Sequence, residues 1–190
     1  MTTKEGSTST SQSPTRRDVL AGVSIGIGGL ALRSASASAA SATEEISRSA
    51  ESIHQKVSFK AGPERVYAAL VDARLFQQVT LLSAAVESGM VQPTRAAEIQ
   101  QREGGAFSLF GGHISGRIIE LLPNRRLVQA WRPQDWAPGV YSIVRFQLES
   151  QGTGTSLVFD HTGFPLGQAE TLAAGWKGNY WEPIEKFLAA

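Results

Sequence analysis

The sequence predicts an α+β fold, a curved antiparallel sheet of six or seven strands closed around one long C-terminal helix. Three observations point to it. Within 167–188, Leu172, Trp176, Tyr180, Ile184 and Phe187/Leu188 recur every three to four residues, the period of one helix face. Upstream, 98–163 reads as short alternating strands broken by Gly-containing turns. A sheet with one apolar face and a helix with one apolar stripe bury each other.

The elements follow in order. Residues 43–52 read as a polar linker. The alternation of 53–59 makes a strand, ended by Ala61-Gly62-Pro63, and Pro63 suits a helix first turn. Val66, Tyr67, Leu70 and Val71 give a helical stripe, and a second short helix covers 73–79. Residues 80–95 carry no clear period, with Leu81, Leu82, Val86 and Met90 apolar; they read as an irregular crossover over one mouth of the sheet. Strands are expected at 97–102, 106–110, 113–121, 126–132, 141–149 and 156–163, joined by short turns as an antiparallel meander. Pro183 falls inside the last helix and should kink it.

The first 42 residues read as an address rather than as part of the fold. Thr15-Arg16-Arg17-Asp18-Val19-Leu20 leads into a Gly-rich apolar run of about 14 residues, then Arg33 and a small-residue tract with Ala-x-Ala sites. Arg16 and Arg17, followed by a variable residue and two apolar ones, resemble a twin-arginine signal. The run is short for a membrane span. A periplasmic or extracellular destination is expected, with the twin-arginine translocase as a transient partner and no membrane anchor after cleavage.

Charge excludes some classes. Four of the 18 Lys and Arg and two of the 17 Asp and Glu lie in 1–42, leaving 14 against 15 in the body. There is no basic stripe for nucleic acid. With no cysteine, disulfides, thiolate metal sites and Cys nucleophiles are excluded.

Recognisable residues come next. They are Phe107-Ser108-Leu109-Phe110-Gly111-Gly112-His113-Ile114-Ser115-Gly116, Gln129-Ala130-Trp131-Arg132, and Asp135-Trp136-Ala137-Pro138-Gly139-Val140-Tyr141. Thr155-Ser156-Leu157, Gly163-Phe164-Pro165, Gly175-Trp176 and Tyr180-Trp181 complete the set. Together they resemble the C-terminal domain of the activator of Hsp90 ATPase and its bacterial single-domain relatives, within the START-like (helix-grip, Bet v 1-like) superfamily. The resemblance covers about 53–188. It implies a helix-grip fold, and either an apolar ligand between sheet and helix or a chaperone partner. The family often has Trp-Pro-x-Gly-His where this chain has Trp136-Ala137-Pro138-Gly139-Val140.

Catalytic chemistry has little to stand on. His54, His113 and His161 show no metal-ligand spacing, and no metal or other cofactor is expected. Asp160 and His161, adjacent on a strand, point to opposite faces. His161 falls in phase with Leu157 and Phe159, so it is either a hydrogen-bonded core imidazole or a pocket polar group. Glu120, in phase with Ile114 and Ile118, faces the cavity in one reading and pairs with an Arg near solvent in the other. There is no nucleophile elbow and no strand–Gly loop–helix phosphate cradle.

The aromatics carry more. Phe107, Trp131, Phe146, Phe159, Trp176 and Tyr180 lie on opposing sheet and helix faces: if they fill the space they are an ordinary core, and if they leave it partly empty they are, with Ile118, Glu120 and His161, the candidate lining of an apolar pocket. Trp136, in the 133–139 loop, is expected on the rim or surface, where it either anchors a partner or packs the loop. The leading expectation is an exported, non-enzymatic binder of a small hydrophobic or amphipathic ligand. The alternatives are a chaperone-regulator-like protein–protein module, and a cyclase- or hydrolase-type enzyme using Glu120 and His161.

Overall fold

A computed structural model describes residues 50–92 and 94–190. The first strand, β1 (Ala50–Phe59), is followed by three short helices, α1 (Pro63–Val71), α2 (Ala73–Leu81) and α3 (Ala84–Glu87). Six strands then run as β2 (Glu98–Ile99), β3 (Ala106–Leu109), β4 (Ile114–Leu122), β5 (Arg126–Pro133), β6 (Ser142–Gln151) and β7 (Gly154–Pro165). The chain closes with a continuous helical segment of three parts: α4 (Ala169–Trp176), a wide turn over Lys177–Trp181, and α5 (Glu182–Ala189). The expected signal over 1–42 lies outside the described residues.

The seven strands form one antiparallel sheet in the order β1-β7-β6-β5-β4-β3-β2. β2 to β7 are a meander, as their short Gly-containing turns required. β1 joins the far edge by pairing with β7, and the three helices carry the chain from that edge to the other. Strand β1 begins at Ala50, so 50–52 are strand rather than linker. The reason is local: the Glu51 carboxylate accepts the backbone N–H groups of Gly167 and Ala169, each at 2.9 Å. An anionic side chain there satisfies free N–H groups at the start of α4 and complements the helix dipole. Gln55 holds the same helix further along. Its amide donates to Ala173 O at 3.3 Å and its oxygen accepts from Trp181 Nε1 at 2.7 Å.

Two bulges reset the alternation. On β4, Ile118 pairs with Gln129 and Glu120 with Val128, so Ile119 is the extra residue and the phase slips by one. On β7, Gly163 is the extra residue opposite β1, at φ +79°, where a side chain would be strained. That slip brings Phe164, rather than Gly163, onto the inner face behind His161.

The last helix also changes phase. Pro183 has no N–H to give to the preceding turn, and its ring would crowd the carbonyl four residues back. The expected kink is a widened turn, in which the Glu182 N–H reaches back five residues to Lys177 O. The stripe Leu172, Trp176, Tyr180 continues as Trp181, Ile184, Leu188, and both Tyr180 and Trp181 face the sheet. The core is therefore aromatic: Phe159 lies 4.4 Å and Phe146 5.8 Å from Trp176, ring centre to ring centre. Phe107 fills the space over Gly116, where a Cβ would meet its ring at 2.4 Å. Among the described residues no helix is long and apolar enough to cross a membrane.

Candidate functional site

The interface between sheet and last helix has a closed part and an open part. The closed part is built on His161, fully buried on β7. Trp176 Nε1 donates to His161 Nδ1 at 3.0 Å, and Ser142 Oγ lies 2.7 Å from His161 Nε2. An indole nitrogen only donates, so Nδ1 is the acceptor and Nε2 carries the proton. Ser142 then accepts from His161 and donates its own O–H to Trp131 O at 3.1 Å. The imidazole is ringed by Trp131 at 5.1 Å and Phe164 at 4.8 Å. Burial lowers its pKa from 6.5 to about 3, so it is neutral at physiological pH.

The polarity of this chain is the reverse of a nucleophile's. In a Ser–His dyad the hydroxyl donates to the imidazole, which donates in turn to a carboxylate. Here the imidazole donates to the hydroxyl, and an indole occupies the carboxylate's place. His161 is a hydrogen-bonded core imidazole.

The open part lies one step along the same helix. A cavity of about 530 Å³ opens between α4, the wide turn, α3, the β5–β6 loop and the corner at Phe110. Trp131, Trp176, Tyr180 and Phe110 make its buried floor, while Met90, Asp135 and Thr171 are exposed at its rim. Phe110 adopts φ +51°, an uncommon conformation for a side-chain-bearing residue, at the tight corner before Gly111 and Gly112. The turn sets its ring between Phe76 (5.5 Å) and Tyr180 (5.4 Å). Asn179 positions α3 by accepting the Ala85 N–H at 2.9 Å.

Two polar atoms of the floor have no partner, Trp131 Nε1 and Tyr180 Oη. Burial pushes the Tyr180 phenol well above its usual range. The indole N–H of Trp131 opposes that shift, yet the two do not meet hydrogen-bond geometry.

The candidate residues therefore divide. Trp131, Trp176 and Tyr180 border the cavity. Phe107, Ile118, Phe146, Phe159 and His161 are buried in the packed core beside it. Glu120 is nowhere near it: the bulge at Ile119 turns it to the outer face, where Arg126 Nη2 donates to it at 2.6 Å. That bond, more than the residual burial opposing it, holds its carboxyl below the ordinary range. Trp136 is not a surface anchor; it is 5% exposed, packs edge-on against Trp131 at 5.9 Å, and donates to Gln168 Oε1 at 2.8 Å. It closes the loop side of the cavity. Sequence reasoning missed Phe110, Gln168 and Asn179, which come from a corner, a helix start and the wide turn. No periodic signal marks any of them. Among the described residues no group of three His, Asp or Glu is placed to hold a metal ion.

The family model described as Activator of Hsp90 ATPase homolog 1-like protein matches residues 60–189. The chain belongs to this family. The mouse Activator of 90 kDa heat shock protein ATPase homolog 2 is 30% identical over 92 residues, 48% of this chain and 28% of that one. The human Activator of 90 kDa heat shock protein ATPase homolog 1 is 25% identical over 131 residues, 69% of this chain and 35% of that one. The chain thus spans roughly a quarter to a third of the length of these curated relatives. Among solved structures, an HSP90 activator from Plasmodium falciparum superposes with a TM-score of 0.63 at 27% identity, covering 73% of this chain and 96% of that one. The seven-stranded sheet gripping a C-terminal helix is the START-like fold of that family.

Proposed function

We propose that this family member is an exported, non-enzymatic binding protein that holds a small hydrophobic or amphipathic ligand between sheet and C-terminal helix. The supporting observation is the open aromatic cavity of about 530 Å³, a volume typical of small-molecule sites. The closed polarity of the His161 network and the outward turn of Glu120 leave neither as a working acid or base, which favours binding over a cyclase- or hydrolase-type reaction. Native mass spectrometry of the purified protein tests it: a co-purifying small molecule is expected, lost on opening the fold. A ligand-free protein whose tryptophan emission ignores every apolar probe would overturn it. Export rests on Arg16 and Arg17. Cell fractionation should find the chain outside the cytoplasm, and replacing both arginines by Lys should retain it inside.

Family membership supports a second reading, a chaperone-regulator module. The likeness to the P. falciparum HSP90 activator extends over nearly that whole chain. The discriminating measurement is the ATPase rate of an Hsp90-type chaperone with and without this protein. A rise would favour the second reading, and an unchanged rate leaves the first standing.

A further inference from the structure

We propose that α3 and the turn after it, 84–91, form a lid over the aromatic floor, latched by Asn179, and that a ligand enters by lifting it. The proposal rests on the cavity being a ligand site and says how that site is reached.

The argument starts from exposure. Phe110, Trp176 and Tyr180 border a void of about 530 Å³, yet they are only 4%, 2% and 5% exposed. Rings so covered offer an occupant little contact, and buried apolar area is what holds an apolar ligand. Part of the cover is the segment 84–91, whose Ala85, Met90 and Val91 line the same cavity.

That segment is fixed at its ends and lightly held between them. Ser83 is fully buried, and its N–H donates to Thr80 O at 3.0 Å. Beyond the segment, the Ala97 N–H donates to Gln77 Oε1 at 2.8 Å. Within it only Ala85 and Val91 are buried, and Met90 is 78% exposed. Among the described residues, the hydrogen bonds of 84–91 run inside the segment or to Ser83, with one exception. The Ala85 N–H donates to Asn179 Oδ1 at 2.9 Å. The remaining tie is an exposed ion pair of Glu87 with Lys186 at 3.5 Å, which water screens. Elements with few buried contacts and few bonds to their surroundings open at low free-energy cost.

The latch is local. The wide turn supplies Gly178 and Asn179 side by side. Gly178 lets the two elements approach, since a Cβ there would lie 3.3 Å from that of Ala84. Asn179 then reaches an N–H of the first turn of α3, which has no partner within the helix. Breaking that one bond frees the segment without disturbing the His161 network, with which it shares no hydrogen bond.

The chain has no cysteine, so Ala84→Cys with Gly178→Cys introduces a single disulfide, at a spacing close to what the bond requires. The neutral fluorescent probe N-phenyl-1-naphthylamine is mixed with the full chain in stopped flow. Wild type and reduced variant should take it up at similar rates. Oxidation should slow entry by about tenfold or more, and reductant should restore it. Asn179→Leu, similar in size but without an acceptor, should speed entry about tenfold, the worth of one hydrogen bond. Its Ala85 amide should lose hydrogen-exchange protection. Equal entry in the oxidised and reduced forms would overturn the lid and leave the cavity reading intact. A probe bound by no form, wild type included, would overturn both. Where the cysteine pair does not fold or cross-link, Asn179→Leu decides. Wild-type entry, or unchanged Ala85 protection, would overturn the latch. Failure of that variant to fold would do the same, by showing Asn179 holding the fold and not a lid.

Discussion

Trp176 and Tyr180 are one helical turn apart, and both face the sheet with rings 4.2 Å apart. Yet their polar atoms have opposite fates. The Trp176 N–H enters a chain in which every donor meets an acceptor, while the Tyr180 hydroxyl meets nothing. Around Trp176 the sheet closes with Phe146, Phe159 and His161; around Tyr180 it opens into the cavity. The contrast separates two states of buried polarity. A satisfied network specifies one packing and resists change. An unsatisfied pair costs stability and specifies nothing.

The largest test of this division is His161→Ala. The substitution removes an imidazole that nothing can replace and orphans the Trp176 N–H, while Ser142 keeps its bond to Trp131 O. A loss of about 3 kcal/mol is expected in denaturant unfolding, from a cavity plus one unmet indole N–H. A loss under about 1 kcal/mol would mean that the closed side is not closed.

Acid probes the same group without mutation. His161 binds a proton in the unfolded chain near pH 6.5 but in the folded one only near pH 3. Between those values the unfolded state holds more protons, so stability falls as pH falls. Well below pH 6.5 the slope approaches about 1.4 kcal/mol per unit for this one group. The stretch from 6.5 to about 5.5 precedes most carboxylate titration. There His161→Gln, which cannot titrate, should show a flatter profile than the wild type. Parallel profiles would remove His161 from the account.

Gly163→Val should cost about 2 kcal/mol. At φ +79° a β-branched residue is strained, and relaxing the bulge would rotate Phe164 away from His161. Wild-type stability in this variant would show that the bulge does not set the packing of the closed side.

How much of this was legible follows from what alternation encodes. Period-two and period-four patterns report which residues share a face, so the strands, their antiparallel order and the helix stripe were readable. An inserted residue is not encoded that way. Glu120 was in phase with Ile114 and Ile118 by counting, and the adjacent Ile118-Ile119 pair is the one trace of the bulge that turns it outward. Neighbouring Tyr180 and Trp181 just before Pro183 mark the wide turn in the same way. Trp136 sits in a Pro- and Gly-rich loop that reads as surface, and its burial depends on Trp131 and Gln168, which local pattern does not connect to it. The cavity was the least legible feature. Sequence lists the aromatics facing inward, but whether they fill the space depends on Phe110, set by one backbone angle.

The smallest expected effect is Glu120→Gln, and its smallness is the point. If Glu120 lined the cavity, neutralising it would change the cavity's charge and alter the affinity of any cavity ligand. On the outer face it only meets the partly exposed Arg126. Exposed pairs of this kind contribute little, because water screens them and holding two long side chains together costs entropy. The melting temperature should therefore barely move, and binding of any cavity probe should match the wild type's. A marked change in probe binding would place Glu120 on the inner face, deny the extra residue at Ile119, and with it the pairing of Glu120 with Val128 on which the two-sided division of β4 depends.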